Sequence, residues 1–141
     1  MADEGDSDDL GAVLARAQAA VAALSRDYLT WARADIDACR RHLAAAEAEP
    51  ERRREHLTAL FNVAHNIKGQ GSSFGYPLMT RLGQSLCQLT RETRSFGDAE
   101  LALAETHLEA MDEVLRQEAR DEGPAALQQR VAQIEAAVAV R

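Results

Sequence analysis

Residues 65–75 have the sequence HNIKGQGSSFG, and the conformation of this stretch decides the fold. Its three glycines are Gly69, Gly71 and Gly75. Glycine inside a helix costs about 0.8–1 kcal/mol relative to alanine, so three of them would suit a loop. The residues before them nevertheless recur with helical spacing, and His65 and Lys68 lie one turn apart. We therefore expect a helix whose internal glycines serve a purpose.

A helical wheel of residues 57–74 separates two faces. The apolar face, with Gly71 beside it, comprises Leu60, Val63, Ile67 and Phe74. The opposite face comprises His65, Phe61, Lys68, Gly69 and Ser72. Because the apolar face seeks the core, we expect the His65 side chain to project into solvent.

Each glycine then has its own interpretation. Gly71 would let a neighbouring helix approach closely, and Gly75, just before Tyr76 and Pro77, suits the C-terminal end of a helix. Gly69 lies one turn beyond His65 on the outward face, where a missing side chain opens a path to the imidazole. The stretch lacks the GxxxxGK[ST] pattern and a preceding strand, which argues against a phosphate-binding P-loop.

The chemistry of His65 and Lys68 indicates phosphoryl transfer. Fifteen of the 16 basic residues are arginine, and Lys68 is the remaining one. A lysine is a compact charge on a flexible stem, so it can follow a phosphoryl group that moves between two acceptors. A neutral imidazole is a competent nucleophile, and an exposed histidine is mostly neutral near pH 7. No metal-ligand set and no ATP site accompany His65, so we expect a partner to supply the catalysis.

The rest of the chain predicts an all-α fold. Pro50, Pro77, Gly97 and the pair Gly123-Pro124 interrupt amphipathic segments, and Asp98 is a candidate N-cap. The four longest segments predict an up-down-up-down antiparallel four-helix bundle, with additional N-terminal and C-terminal helices. The predicted bundle helices are roughly residues 27–46, 51–73, 77–94 and 99–120.

Residues 1–9 contain five acids and no base, so the other residues carry a net charge of −2 out of −7. We expect an acidic disordered tail over 1–9 and a single helical domain over 10–141, with its bundle core at about 27–120. A break near Ser25 to Thr30 is expected, although the pattern also permits one continuous helix. Tyr28 and Trp31 are expected to pack where the first helix meets the bundle.

Composition excludes several classes of protein. There is no basic stripe interleaved with aromatics, which argues against nucleic-acid binding. No apolar run approaches the ~20 residues of a membrane span, so we expect a cytoplasmic protein without a membrane partner. Cys39 and Cys87 lack CxxC spacing and are expected to be reduced and half-buried. The other histidines, His42, His56 and His107, are expected at surface or boundary positions.

The stretch resembles the signature of histidine-containing phosphotransfer (HPt) domains: His65, Lys68, Gly69, Ser72 with Ser73, and Gly75. The resemblance covers roughly residues 27–120. It implies a four-helix bundle whose second helix carries an outward histidine, which exchanges a phosphoryl group with an aspartate of a response-regulator receiver domain. It further implies that Lys68 neutralises charge, that Phe61, Gly69 and Ser72 contact the partner, and that the receiver supplies Mg²⁺. No cofactor or metal of the chain's own is implied.

Two residues depart from the family pattern: Asn66 replaces the usual Ser or Thr, and Gln70 replaces a small residue. Some family members orient the imidazole with a polar residue of the next helix, and Gln84 and Gln88 are candidates here. The main hypothesis is a monomeric phosphorelay carrier that serves receiver domains, with a hybrid histidine kinase as a further candidate partner. The alternatives are an HPt-like module that docks a receiver or kinase without transfer, and a purely structural helical bundle.

Overall fold

The computed structural model describes residues 3–92 and 95–141, in which every regular element is a helix. Five α-helices follow one another along the chain: α1 (Asp3–Ala48), α2 (Arg53–Gly71), α3 (Pro77–Glu92), α4 (Asp98–Arg116) and α5 (Ala125–Ala139). Two short 3₁₀ helices precede and follow α2: Pro50–Arg52 and Ser72–Phe74. The predicted all-α class is confirmed.

Helix α1 is continuous where a break was expected. It runs from Asp3 to Ala48, through the Ser25–Thr30 segment and through residues 3–9 of the predicted disordered tail. Residues 12–48 contain neither proline nor glycine, so nothing in the backbone forces the helix to stop. The chain nevertheless divides into two compact units, one ending at Trp31 and the other comprising Ala32–Arg141.

The unit Ala32–Arg141 contains a bundle built from the C-terminal part of α1 with α2, α3 and α4. Side-chain hydrogen bonds join each neighbouring pair of helices. They connect α1 with α2 (Asn66 to Asp35), α2 with α3 (Thr80 to Lys68), α3 with α4 (Ser85 with His107) and α4 with α1 (Arg40 to Glu105). Successive helices are joined by short connections and run antiparallel, as predicted.

The bundle core is aliphatic. The largest side chains with less than 2% exposure include members of all four bundle helices: Ile36, Leu57, Leu60, Leu82, Leu86, Leu89, Leu108 and Met111. Cys39 and Cys87 are free thiols in this core and are buried, not half-buried as expected. Burial raises the pKa of the Cys39 thiol to about 12, so this thiol is protonated at neutral pH.

Helix α5 packs against α3 and α4 on the outside of the bundle, which confirms the additional C-terminal helix. Its buried stripe is Leu127, Val131, Ile134 and Val138. Ion pairs border this stripe on both sides, from Glu135 to Arg81 of α3 and from Arg130 to Glu109 of α4. The N-terminal helix expected before the bundle is part of α1.

The helices end and begin at the predicted glycines and prolines, except that the N-cap of α4 lies one residue earlier than expected. Gly75 has φ +87° and ends the 3₁₀ turn after α2, so its predicted role at a helix end is confirmed. The N-cap of α4 is Gly97, and Asp98 is the first helical residue instead of the cap. The Gly97 N–H donates to the Glu100 carboxylate at 2.9 Å, because a glutamate three residues into the helix can reach back to the cap.

Candidate functional site

His65 lies on the solvent face of α2. His65 is exposed, whereas the opposite face of the helix is buried. The buried residues of that face are Leu57, Leu60, Ala64, Ile67 and Gly71. The expected outward position of the imidazole is therefore confirmed. Over the part of the chain that the structure describes, the imidazole makes no hydrogen bond. Both ring nitrogens are available to an incoming group.

Phe61, one turn before His65, stacks on the imidazole. The two ring centroids lie 6.2 Å apart with 16° between the ring planes. This offset stacking restricts the ring without using either nitrogen, because it involves only the π faces. The aromatic residue predicted as a partner contact thus also borders the His65 imidazole.

Gly69 is open, as its predicted role requires. It is exposed, and a Cβ built at this position would have no heavy atom of the described residues within 4 Å, apart from its chain neighbours and the adjoining helix backbone. The opening lies one turn beyond His65 on the same face. A partner surface can therefore approach the helix backbone at this point.

Gly71 is enclosed, and the predicted close approach of a neighbouring helix is confirmed. A Cβ at Gly71 would lie 2.6 Å from Thr80 Oγ1, 2.7 Å from Thr80 N and 2.9 Å from Tyr76 O. Any side chain here would push the start of α3 away from α2. The two glycines of one helix thus have opposite surroundings, one open to solvent and one filled by backbone.

Gly83 of α3 is a site residue that the sequence analysis missed. A Cβ at Gly83 would lie 2.7 Å from the Lys68 backbone nitrogen, 2.9 Å from Lys68 Cα and 3.1 Å from Ala64 O. The absent side chain lets α3 contact α2 directly beside His65. The signal was present in the sequence, because Gly83 is also a helix-internal glycine and needs a reason of the same kind.

Thr80 holds the end of α2 in place and was also missed. Its hydroxyl donates to the Lys68 carbonyl at 2.9 Å and accepts from the Ser72 N–H at 2.7 Å. The Ser72 hydroxyl lies 3.0 Å from the same oxygen. Ser72 is exposed as expected for a partner contact, but its side chain is also hydrogen-bonded within the chain.

Lys68 is half-buried on the edge of α2 that faces α3. Its charge reaches the α2–α3 boundary: burial raises the pKa of the Cys87 thiol, while Lys68 and Arg91 act in the lowering direction. The Cys87 Sγ lies 3.9 Å from the Phe61 carbonyl. Because the thiol is buried and its pKa is raised, Cys87 is an unreactive packing residue.

The candidate orienting residues lie on α3. Gln84 is exposed and Gln88 is half-buried. Within residues 3–92 and 95–141, neither amide forms a hydrogen bond with His65. Gln84 follows Gly83, which packs on Ala64 and Lys68, whereas Gln88 follows Cys87, which packs on Phe61.

The two departures from the family pattern form a polar cluster on the α1 side of His65. Asn66 donates to the Asp35 carboxylate at 3.1 Å, and Gln70 donates to Asn66 Oδ1 at 3.4 Å. Burial raises the pKa of the Asp35 carboxyl, and the hydrogen bond from Asn66 partly offsets that rise. These side chains are held by α1, so they present a fixed surface.

His107 corrects the expectation of a surface or boundary position, since its side chain is fully buried between α4 and α3. Its Nδ1–H donates to the Leu103 carbonyl at 2.7 Å, and its Nε2 accepts from the Ser85 hydroxyl at 2.8 Å. Burial lowers the pKa of His107, which favours the neutral ring with its proton on Nδ1. His56 is half-buried beside Glu49, 2.9 Å away, and His42 is half-buried.

Two searches of the described residues bear on ligands and membranes. No group of three or more histidine, cysteine or acidic side chains there could hold a metal ion. Over the same residues, none of the helices combines the length and the apolar character of a membrane span.

Comparison with known proteins gives a family. The family model for the Hpt domain matches residues 23–137, which is most of the chain. No curated protein and no solved structure matches the sequence significantly. Hpt domains are helical phosphotransfer carriers of two-component signalling, and they interact with receiver domains and histidine kinases. A bundle with an exposed histidine followed by lysine and an open glycine agrees with that assignment, and the chain belongs to the Hpt domain family.

Proposed function

We propose that His65 is the phosphoacceptor of this chain and that it exchanges a phosphoryl group with the aspartate of a receiver domain. The observation that carries this proposal is the geometry of one helix face. Among the described residues, nothing hydrogen-bonds the exposed imidazole, and no side chain covers the neighbouring position Gly69 against an approaching protein.

The transfer step follows from ordinary acyl phosphate chemistry. One nitrogen of the neutral His65 ring attacks the phosphorus of the receiver's aspartyl phosphate. The bond between phosphorus and the aspartate oxygen breaks, and the carboxylate leaves with the electron pair. The ring then carries the phosphoryl group on one nitrogen and a proton on the other. The reverse step returns the group to a second receiver, and Mg²⁺ bound by the receiver stabilises the transferred charge.

Lys68 would offset the negative charge that arrives on His65. It lies one turn away on the same helix, and its backbone is held by Thr80 and by the contact with Gly83. An ammonium group close to a phosphoryl group stabilises it electrostatically. Because this effect needs the charge and not a hydrogen-bonding fork, we expect Lys68→Arg to retain more transfer than Lys68→Gln.

The docking surface would consist of Phe61, Gly69 and Ser72 of α2 with the adjoining exposed part of α3. Of the two orienting candidates, we favour Gln84. The contact of Gly83 with Ala64 and Lys68 supports this choice, because Gln84 follows Gly83 and the two contacted residues lie on either side of His65 in α2. Gln88 lies one turn further along α3, at the level of Phe61.

The test is to mix the purified chain with a phosphorylated receiver domain and Mg²⁺ and to follow label that is labile in acid. We expect the wild type and the matched control His42→Gln to accept label, and His65→Gln to accept none. Label on His65→Gln would place the acceptor elsewhere. A receiver that binds the wild type but transfers nothing to it would support the alternative, a docking module without transfer.

A further inference from the structure

The N-terminal part of α1 is a helix that is exposed on all sides. Every residue from Asp9 to Ala22 is exposed, including Leu10, Leu14 and Val21 at 59%, 54% and 59%. Most helical stability in proteins comes from packing of an apolar face. This segment has such a face without a covering element from its own unit, so the face is available to another molecule.

The spacing of the apolar residues is that of a coiled coil. We call Leu10, Leu14, Ala17, Val21 and Leu24 the seam, because steps of four and three alternate through them. This is a heptad repeat over two heptads, with Leu14 and Val21 at a positions and Leu10, Ala17 and Leu24 at d positions. The next a position, Tyr28, is buried. A repeat of 3.5 residues keeps one stripe facing a partner helix, so the seam indicates a helical partner.

The charges around the seam permit a second copy of the same helix. Arg16 is the sole charged residue between Leu10 and Ser25, and it occupies a c position away from the seam. Two copies can therefore approach without repulsion along the seam. Five acids lie within the first nine residues, so a parallel pair would bring ten acids together at one end. An antiparallel pair separates the two acidic ends.

We propose that the chain forms an antiparallel homodimer through the seam. Five large apolar side chains of this segment are about half exposed: Leu10, Val13, Leu14, Val21 and Leu24. At roughly 100 Å² each, a symmetric pair would bury on the order of 1,000 Å², which is the area that a specific interface should reach. The sequence suggested a monomer; the exposed seam favours a dimer, independently of the phosphotransfer proposal.

The arrangement that fits best pairs Leu14 of one copy with Leu24 of the other, and Ala17 with Val21. In this register each small residue faces a larger one, which fills the layers evenly. A parallel pair in register would instead place Ala17 against Ala17 between two larger layers and leave a gap. The antiparallel register therefore also packs better.

The first experiment measures the molar mass of the intact chain by analytical ultracentrifugation. The chain is used at about 100 µM, above the micromolar range in which small interfaces dissociate. We expect the wild type to have a molar mass of about twice 15.4 kDa. Val21→Glu should yield the monomer. The matched control Ala19→Glu, at an f position of the same helix, should remain dimeric. A monomeric wild type, or a dimer that Val21→Glu leaves intact, would overturn the proposal.

The second experiment reads the orientation from disulfide formation. Antiparallel pairing predicts that a mixture of Ala17→Cys and Val21→Cys chains cross-links faster than either variant alone. The wild type, whose two cysteines are buried, is the control. Faster cross-linking of Val21→Cys alone would contradict the antiparallel register, because only a parallel pair places two a positions opposite each other.

Discussion

Substituting alanine at Gly83 and at Gly69 tests whether the two helices that carry the site are in backbone contact. Both positions lie inside helices, so alanine gains about 0.8–1 kcal/mol of helix propensity at each. At Gly69 no described residue beyond the adjoining helix backbone opposes that gain, since none has an atom within 4 Å of the added Cβ. At Gly83 the Cβ would lie 2.7 Å from the Lys68 nitrogen, and backbone cannot rotate away as a flexible side chain can.

Overpacking of this kind costs about 1–3 kcal/mol and more when backbone must move, so Gly83→Ala should lose about 1–2 kcal/mol net. Gly69→Ala should gain up to about 1 kcal/mol. For a chain of this size each kcal/mol moves the midpoint of thermal unfolding by about 3–5 °C. Urea and thermal unfolding followed by circular dichroism would measure both variants. A Gly83→Ala protein as stable as Gly69→Ala would refute the close approach of α3 to α2.

The same two variants distinguish an effect on stability from an effect on docking. We expect Gly69→Ala to slow phosphotransfer although it stabilises the fold, because its methyl group intrudes on the proposed contact surface. Gly83→Ala should affect transfer only through the displaced α3. Equal transfer rates for Gly69→Ala and the wild type would remove Gly69 from the docking surface.

Two further predictions concern buried hydrogen bonds. Burial lowers the pKa of His107 in the folded chain, so below about pH 6.5 the unfolded state binds more protons than the folded state. The neutral His107 ring contributes fully to stability above the pKa that this histidine has in the unfolded chain. As the pH falls toward its pKa in the folded chain, the free energy of unfolding decreases by at most about 1.4 kcal/mol per pH unit. Urea titrations between about pH 7.5 and about pH 5 should show this loss. His107→Phe should flatten the pH dependence, and an unchanged slope would contradict a neutral buried ring. Thr80→Val removes the hydroxyl that hydrogen-bonds to Lys68 and Ser72. We expect the free energy of unfolding, measured with urea, to fall by about 1–3 kcal/mol. An unchanged urea midpoint would show that this hydroxyl does not hold the end of α2.

Local pattern was enough to predict the helices and the outward face of α2. Burial of Leu60 and Ile67 on one side follows from a repeat of 3.6 residues, and that repeat alone directs His65 outward. The positions of Pro50, Gly75 and Pro77 likewise predicted the ends of α2 and the start of α3. These properties depend on a few neighbouring residues, so they can be read from a single chain.

The positions that the sequence analysis did not predict depend on contacts between helices. The close contact at Gly83 depends on which residue of α3 lies opposite Lys68, and helix periodicity does not specify the register between two helices. His107 was expected near the surface because a histidine is polar, but the hydroxyl of Ser85 and the carbonyl of Leu103 satisfy its ring in the interior. Tyr28 and Trp31 were both expected to pack; Tyr28 is buried, and Trp31 is 47% exposed.

The sequence by itself determined that the chain is helical, that His65 faces outward and that Lys68 and Gly69 follow it on the same face, because each is a consequence of spacing along one helix. Only the tertiary structure decided how near α3 comes to that face, that His107 is enclosed, and that the seam of α1 remains uncovered from Leu10 to Leu24. Those features arise from atoms far apart in the chain, and their packing is settled only when the helices are brought together.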